Sequence, residues 1–149
     1  MAVSIGRVVA DAIRKEAAAE KFYAKASAEA EEPGARELLA RLAREEARHA
    51  ELLRGKGVQE FLDSAPPATN DLRIAEFLEK RKLGARASYQ DVLIFAIKRE
   101  DCSYRAYQAL AQSCGEETAR RLFRRLAQEE RTHRNKLEEL YDDAIFVEN

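Results

Sequence analysis

Residues 35–53, ARELLARLAREEARHAELL, return 84 positions later as residues 119–137, ARRLFRRLAQEERTHRNKL. In the first copy Leu38, Leu42, Glu46, His49 and Leu53 follow one another at steps of 4, 4, 3 and 4. Such steps place all five on one face of a helix. Leu122, Leu126, Glu130, His133 and Leu137 repeat the pattern. The likeness runs backward without a gap, since Ala12-Ile13, Glu16 and Tyr23 match Ala96-Ile97, Glu100 and Tyr107. Each half is two helical stretches around a short breaker, Pro33-Gly34 in one and Gly115 in the other. One repeat unit is therefore a helical hairpin, and two hairpins make a four-helix bundle.

The spacing predicts helices from about Ser4 to Glu31, from Ala35 to Arg54, from just after Ser88 to before Gly115, and from Glu116 to Tyr141. Ser88 reads as an N-cap, with Asp91 three residues on. Short turns make each hairpin antiparallel. The predicted organisation is one domain over residues 1–149: hairpin 4–54, crossover 55–87, hairpin 88–141 and tail 142–149. The crossover is too long for a turn. Pro66-Pro67 breaks it, and Asn70 or Asp71 can cap a short helix carrying Leu72, Ile74, Phe77 and Leu78, with Gly84 beyond its end. An all-α bundle with one long crossover has ferritin-like connectivity.

Composition agrees and excludes other classes. Only 6 Gly and 3 Pro interrupt a chain dominated by helix-forming residues. A net charge of −1, with both signs mixed along helical faces, argues against a nucleic-acid binder. No run approaches the roughly 18 to 20 apolar residues of a membrane span, and Met1 to Ala10 does not read as a signal peptide. Cys102 and Cys114 form no CxxC pair, so no rubredoxin-type iron centre or zinc ribbon lies within this chain. A reducing cytoplasm is the expected compartment.

Polar groups interrupt every apolar stripe. The first helix reads Val9, Ile13, Glu16, Glu20, Tyr23, and the third Leu93, Ile97, Glu100, Tyr104, Tyr107. Burying an unpaired carboxylate costs several kcal/mol, more than one core leucine contributes. Four converging carboxylates would also repel one another, and two divalent cations would balance their charge. Both histidines of the chain carry Glu at −3 and −4. A Glu from each of two helices plus Glu-x-x-His from each of two others is the di-iron carboxylate set. The expected metal ligands are Glu16, Glu46, His49, Glu100, Glu130 and His133. Two iron ions are expected, although manganese or a mixed pair suits the same oxygen and nitrogen donors. Glu45 and Glu129 are candidates to hydrogen-bond a ligand histidine, or else are surface ion-pair partners. Tyr23 and Tyr107 can hydrogen-bond a ligand carboxylate or simply fill core. Glu20 is an extra ligand, a proton relay or a surface residue. Cys102, about 200° around the helix from Glu100, should point away from the metals.

With these residues in view the chain resembles the rubrerythrin branch of the ferritin-like superfamily. The carrying features are Ala12-Ile13-x-x-Glu16 with Phe22-Tyr23, Glu45-Glu46-x-x-His49, and their copies at Glu100 and Glu129-Glu130-x-x-His133. The resemblance implies a non-haem di-iron oxidoreductase that reacts with peroxide or dioxygen, is re-reduced by an external electron donor, and protects against oxidative stress. It also implies a homodimer or larger homo-oligomer, helped by the apolar run Ala144-Ile145-Phe146-Val147. Members of that branch carry a further carboxylate one turn after the third-helix Glu, which switches with iron redox state. Ser103 stands there in this chain, which leaves a symmetric six-ligand set. The alternatives are ferroxidase-type iron handling or storage, and a non-catalytic helical interaction protein.

Overall fold

The computed structural model describes residues 4–64 and 87–148. Among them are five α-helices and no strand: α1 Ile5–Glu29, α2 Pro33–Arg54, α3 Lys56–Ser64, α4 Tyr89–Ser113 and α5 Glu117–Glu148. The expected all-α bundle is the fold observed. The 84-residue offset holds at both ends of α1 and α4, each 25 residues long.

The caps repeat as well. The Ser4 side chain accepts from the Arg7 amide at 3.2 Å, and Ser88 from the Asp91 amide at 3.1 Å. Asp91 returns the bond by accepting from the Ser88 amide, closing the predicted capping box. Inside the hairpins the guanidinium of Arg36 donates to the Ala30 carbonyl, and that of Arg120 to the Cys114 carbonyl at 2.9 Å. These bonds serve the first carbonyl past each helix end, at matching repeat positions.

Several boundaries differ from the expectation. The first helix stops at Glu29 and the second begins at Pro33, a residue suited to the first helical position because it lacks only an amide the helix cannot use there. The crossover opens with α3, which was not predicted. The helix expected around Leu72 to Leu78 lies outside the described residues. The last helix runs on to Glu148, so the expected tail 142–149 is helical up to that residue. Gly55 ends α2, and the matching position is Glu139, a good helix former that lets α5 continue.

The side chains give the directions. Tyr23 meets Glu100 while Tyr107 meets Glu16, so α1 and α4 are antiparallel. His49 meets Glu129 while His133 meets Glu45, so α2 and α5 are antiparallel too. With each hairpin antiparallel, α2 and α4 run the same way. The chain after α2 must therefore return the length of the bundle, about 33 Å for 22 helical residues. That return is the physical need for a long crossover.

The core has two apolar layers. One holds Val9, Leu53, Val58, Leu110, Phe123 and Leu126, and the other Ala26, Leu39, Leu42, Leu93, Ala96 and Leu137. The 84-residue offset exchanges them: Leu39 maps onto Phe123, Leu42 onto Leu126, and Leu53 onto Leu137. Between the layers lie six buried ionisable residues, Glu16, Glu46, His49, Glu100, Glu130 and His133. No helix among the described residues is long and apolar enough to cross a membrane.

Candidate metal centre

The inward faces are set by small residues beside the acids. On α1 the buried series is Val9, Ala12, Glu16, Ala19, Tyr23, and on α4 it is Leu93, Ala96, Glu100, Tyr107. Alanines at 12, 19 and 96 let the backbones approach, so short glutamate side chains can meet at the bundle axis. Glu20, expected on the stripe, is exposed and belongs to neither acidic cluster. The face passes through Ala19 instead. Ile13 is half-buried for the same reason. At the start of the stripes of α2 and α5, Leu39 and Phe123 are fully buried, while their neighbours Leu38 and Leu122 are only half-buried.

Two groups of possible ligands result. Glu16, Glu46, His49 and Glu130 each offer an atom within 4.8 Å of the others, and so do Glu46, Glu100, Glu130 and His133. Glu46 and Glu130 belong to both groups. Each histidine turns Nδ1 inward. His49 Nδ1 lies 2.8 Å from Glu130 and 3.6 Å from both Glu16 and Glu46. His133 Nδ1 lies 2.8 Å from Glu46 and 3.7 Å from both Glu100 and Glu130. The imidazoles stack nearly parallel, 5.8 Å between centroids.

The outer nitrogens find carboxylates of the opposite hairpin. His49 Nε2 donates to Glu129 at 2.9 Å, and His133 Nε2 donates to Glu45. A carboxylate accepting from Nε2 fixes the tautomer and aims the Nδ1 lone pair at the cluster. Burial alone would raise Glu129, but the Arg48 guanidinium at 2.7 Å and His49 hold its carboxyl below the usual range. Arg48 was not legible beforehand, because a surface arginine beside a histidine is ordinary on such a helix. The tyrosines also cross over. Tyr23 donates to Glu100 at 2.5 Å, and Tyr107 donates to Glu16 at 2.6 Å. Burial and the neighbouring carboxylates push both phenols well above their ordinary range, which keeps them neutral donors. Which carboxylate each tyrosine would meet was not legible, since it depends on how the hairpins face each other. Cys102 is half-buried and in neither group, and it forms no disulfide with the buried Cys114.

The electrostatics are those of a site that attracts cations. Burial, then the charge of Glu46, pushes Glu16 up to about 8. Burial and the charges of Glu100, Glu16 and Glu46 push Glu130 well above the carboxylate range. Glu100 goes the other way, because His133 and the Tyr23 hydroxyl outweigh the burial that would raise it. Burial disfavours the imidazolium, yet the surrounding glutamates push His49 up to about 10 and His133 up to about 11. Among the described residues, Glu16 Oε2, His49 Nδ1, Glu100 Oε2 and Glu130 Oε1 are buried without a hydrogen-bond partner. Even the 2.8 Å approach of His49 to Glu130 lacks hydrogen-bond direction. Buried polar atoms are almost always paired. Orphaned lone pairs converging from four helices fit a pair of divalent metals, and the donors suit iron or manganese.

A bundle of two repeated hairpins with shared carboxylates at its axis defines a ferritin-like helical protein of the di-iron carboxylate type, with buried clusters able to bind metal. The rubrerythrin family model matches residues 7–141, and the chain belongs to the rubrerythrin family. A solved structure of a hypothetical protein from Pyrococcus furiosus is similar, with 25% identity, 94% of this chain and 89% of that chain covered, and a TM-score of 0.73. Nothing among curated proteins matches.

Proposed function

We propose that the chain is a non-haem di-iron oxidoreductase that reduces peroxide, or reacts with dioxygen, at the expense of an external electron donor. The observation that supports this most is the pair of four-residue clusters sharing Glu46 and Glu130. Glu16 and His49 would hold one metal, Glu100 and His133 the other, and Glu46 and Glu130 would hold both. When bound there, a ferrous pair would supply the two electrons that, with two protons, convert hydrogen peroxide into two waters. The chain's part is to keep the metals close, to exclude bulk water with the two apolar layers, and to hold the ligands in register. Tyr23 and Tyr107 keep the outer carboxylates Glu100 and Glu16 aimed inward, and Glu45 and Glu129 do so for the imidazoles. We propose the same oxygen-linked role in the cytoplasm, in a homo-oligomer. Phe146 on the last turn of α5 is 86% exposed and is the natural contact for a second copy, whereas Ala144 packs on its own bundle.

The test is anaerobic ferrous loading, metal analysis, and peroxide addition with a reductant present. Two metals per chain and repeated turnover are expected. A single oxidation that then stops would favour iron handling or storage. Absence of any bound metal would favour the interaction-protein reading.

A further inference from the structure

We infer that small molecules reach the metal centre from one side, through a pocket between α1 and α4 on the Glu16 side, and that Ala106 and Ser103 set the size of the peroxide admitted. This rests on the proposed function for the identity of the ligand but not for the route. The pocket is narrow, with about 30 Å³ of room for the centres of water-sized molecules, and it opens to solvent at its mouth. Val8, Ala12, Ser103 and Ala106 form walls, and Asp11 and Lys15 also line it. Glu16 and Tyr107, both almost fully buried, belong to the same lining. The space thus runs from the surface to two residues of the centre, Glu16 of the cluster and Tyr107, whose hydroxyl holds the Glu16 carboxylate.

The repeat supplies the comparison. Each lining residue has a mate 84 positions away, and at the mates the space is filled. Ala106 corresponds to Phe22 and Asp11 to Phe95, whose rings pack 5.2 Å apart. Lys15 corresponds to Arg99, whose guanidinium lies 5.8 Å from the Phe22 centroid and 6.0 Å from that of Phe95. Arg99 also donates to the Lys15 carbonyl at 3.4 Å, tying the plug to α1. Two aromatic rings under an arginine therefore close the Glu100 side, where an alanine and an aspartate leave the Glu16 side open. The metal-holding residues obey the repeat, and these neighbours break it. The walls are mostly apolar, with Asp11 and Lys15 of opposite charge among the lining, which suits a small neutral hydroperoxide better than an anion.

The experiment compares the wild type with Ala106→Phe, which copies the plug, and Phe22→Ala, which removes the native one. Xenon under pressure, located by crystallography in metal-free protein, reads the route without any chemistry. Xenon should sit beside Val8, Ala12 and Ala106 in the wild type, vanish in Ala106→Phe, and gain a second position in Phe22→Ala. In ferrous protein retaining two metals, Ala106→Phe should slow oxidation by hydrogen peroxide at least tenfold. Phe22→Ala should raise the rate with tert-butyl hydroperoxide relative to hydrogen peroxide. If Ala106→Phe does not fold, Ser103→Leu narrows the same pocket and takes its place. An unchanged oxidation rate at full metal content, or xenon still bound at the Glu16 side, overturns the inference. A wild type that takes up no metal or ignores peroxide overturns the proposed function instead, and the xenon positions still decide the route.

Discussion

Glu46 and Glu130 each reach both clusters, whereas Glu16 and Glu100 reach one apiece. Substitution should therefore divide by position. Glu46→Gln or Glu130→Gln should weaken both metals, while Glu16→Gln should leave about one metal per chain at concentrations that saturate the wild type. Metal content after desalting checks this, and equal losses from all three variants would argue against shared carboxylates. The protons give a second expectation. Glu16 at about 8, His49 at about 10 and His133 at about 11 all lie above their ordinary values of 4.5 and 6.5. Groups raised on folding stabilise the fold fully below their unfolded values, and that stabilisation drains away as pH climbs through the folded ones. Metal-free protein should thus melt at progressively lower temperature from about pH 5, just above the unfolded carboxyl value, to about pH 11. Metal binding must expel these protons, so affinity should rise over the same window. Calorimetry of chelated protein across that range, and metal titrations in buffers of different ionisation enthalpy, check both. A flat profile would mean that the cluster holds no such protons.

Within the helices, the repeat made the four long elements and the six inward ionisable residues legible, because a buried charge needs a partner and a matched pair of them stands out. Which leucine completes a stripe was less legible. Leu38 and Leu39 lie about 50° to either side of the mean direction of Leu42, Glu46, His49 and Leu53, so periodicity could not choose between them. Packing chose Leu39 on α2 and, at the mate, Phe123 on α5. Glu20 reads onto the α1 stripe by similar geometry, but a small neighbour, Ala19, sits as near to the axis and takes the inward place, and the exposure of Glu20 accords with its surface alternative. The helix α3 was missed because the crossover was read for its Pro66-Pro67 break, while Val58, Phe61 and Leu62 give it a short apolar face of its own. Thermal or denaturant unfolding of two alanine variants tests the choice. Leu39→Ala should cost about 2–5 kcal/mol as a buried deletion, and Leu38→Ala about 1 kcal/mol. Equal costs would mean that α2 presents a different face from the one described.

The molecule as a whole is two well-packed hairpins joined across a thinner seam, since each helix packs chiefly on its own hairpin partner. The seam's buried centre is polar: Tyr23 with Glu100, Tyr107 with Glu16, His49 with Glu129, and His133 with Glu45. Each metal cluster takes three residues from one hairpin and one from the other. Bound metal would therefore cross-link the halves where apolar contact is weakest and negative charge is densest. A ligand that binds only the native state stabilises it by mass action, about 2.7 kcal/mol at a hundredfold excess over Kd. For a chain near this size that is about 5–10 °C in melting temperature. We expect chelation to lower the melting temperature by at least that much and to speed amide exchange in the central turns of all four long helices, with ferrous iron or manganese reversing both. His49→Ala should abolish most of the metal-dependent gain. Glu130→Gln should reduce the gain yet raise the metal-free melting temperature, because Gln is neutral without the proton that the buried Glu130 carboxyl must take up on folding. Scanning calorimetry of these proteins with and without metal separates the outcomes. If the wild type melted identically in both states and retained no metal after loading, the di-iron reading would fall and a structural role for the helices would take its place.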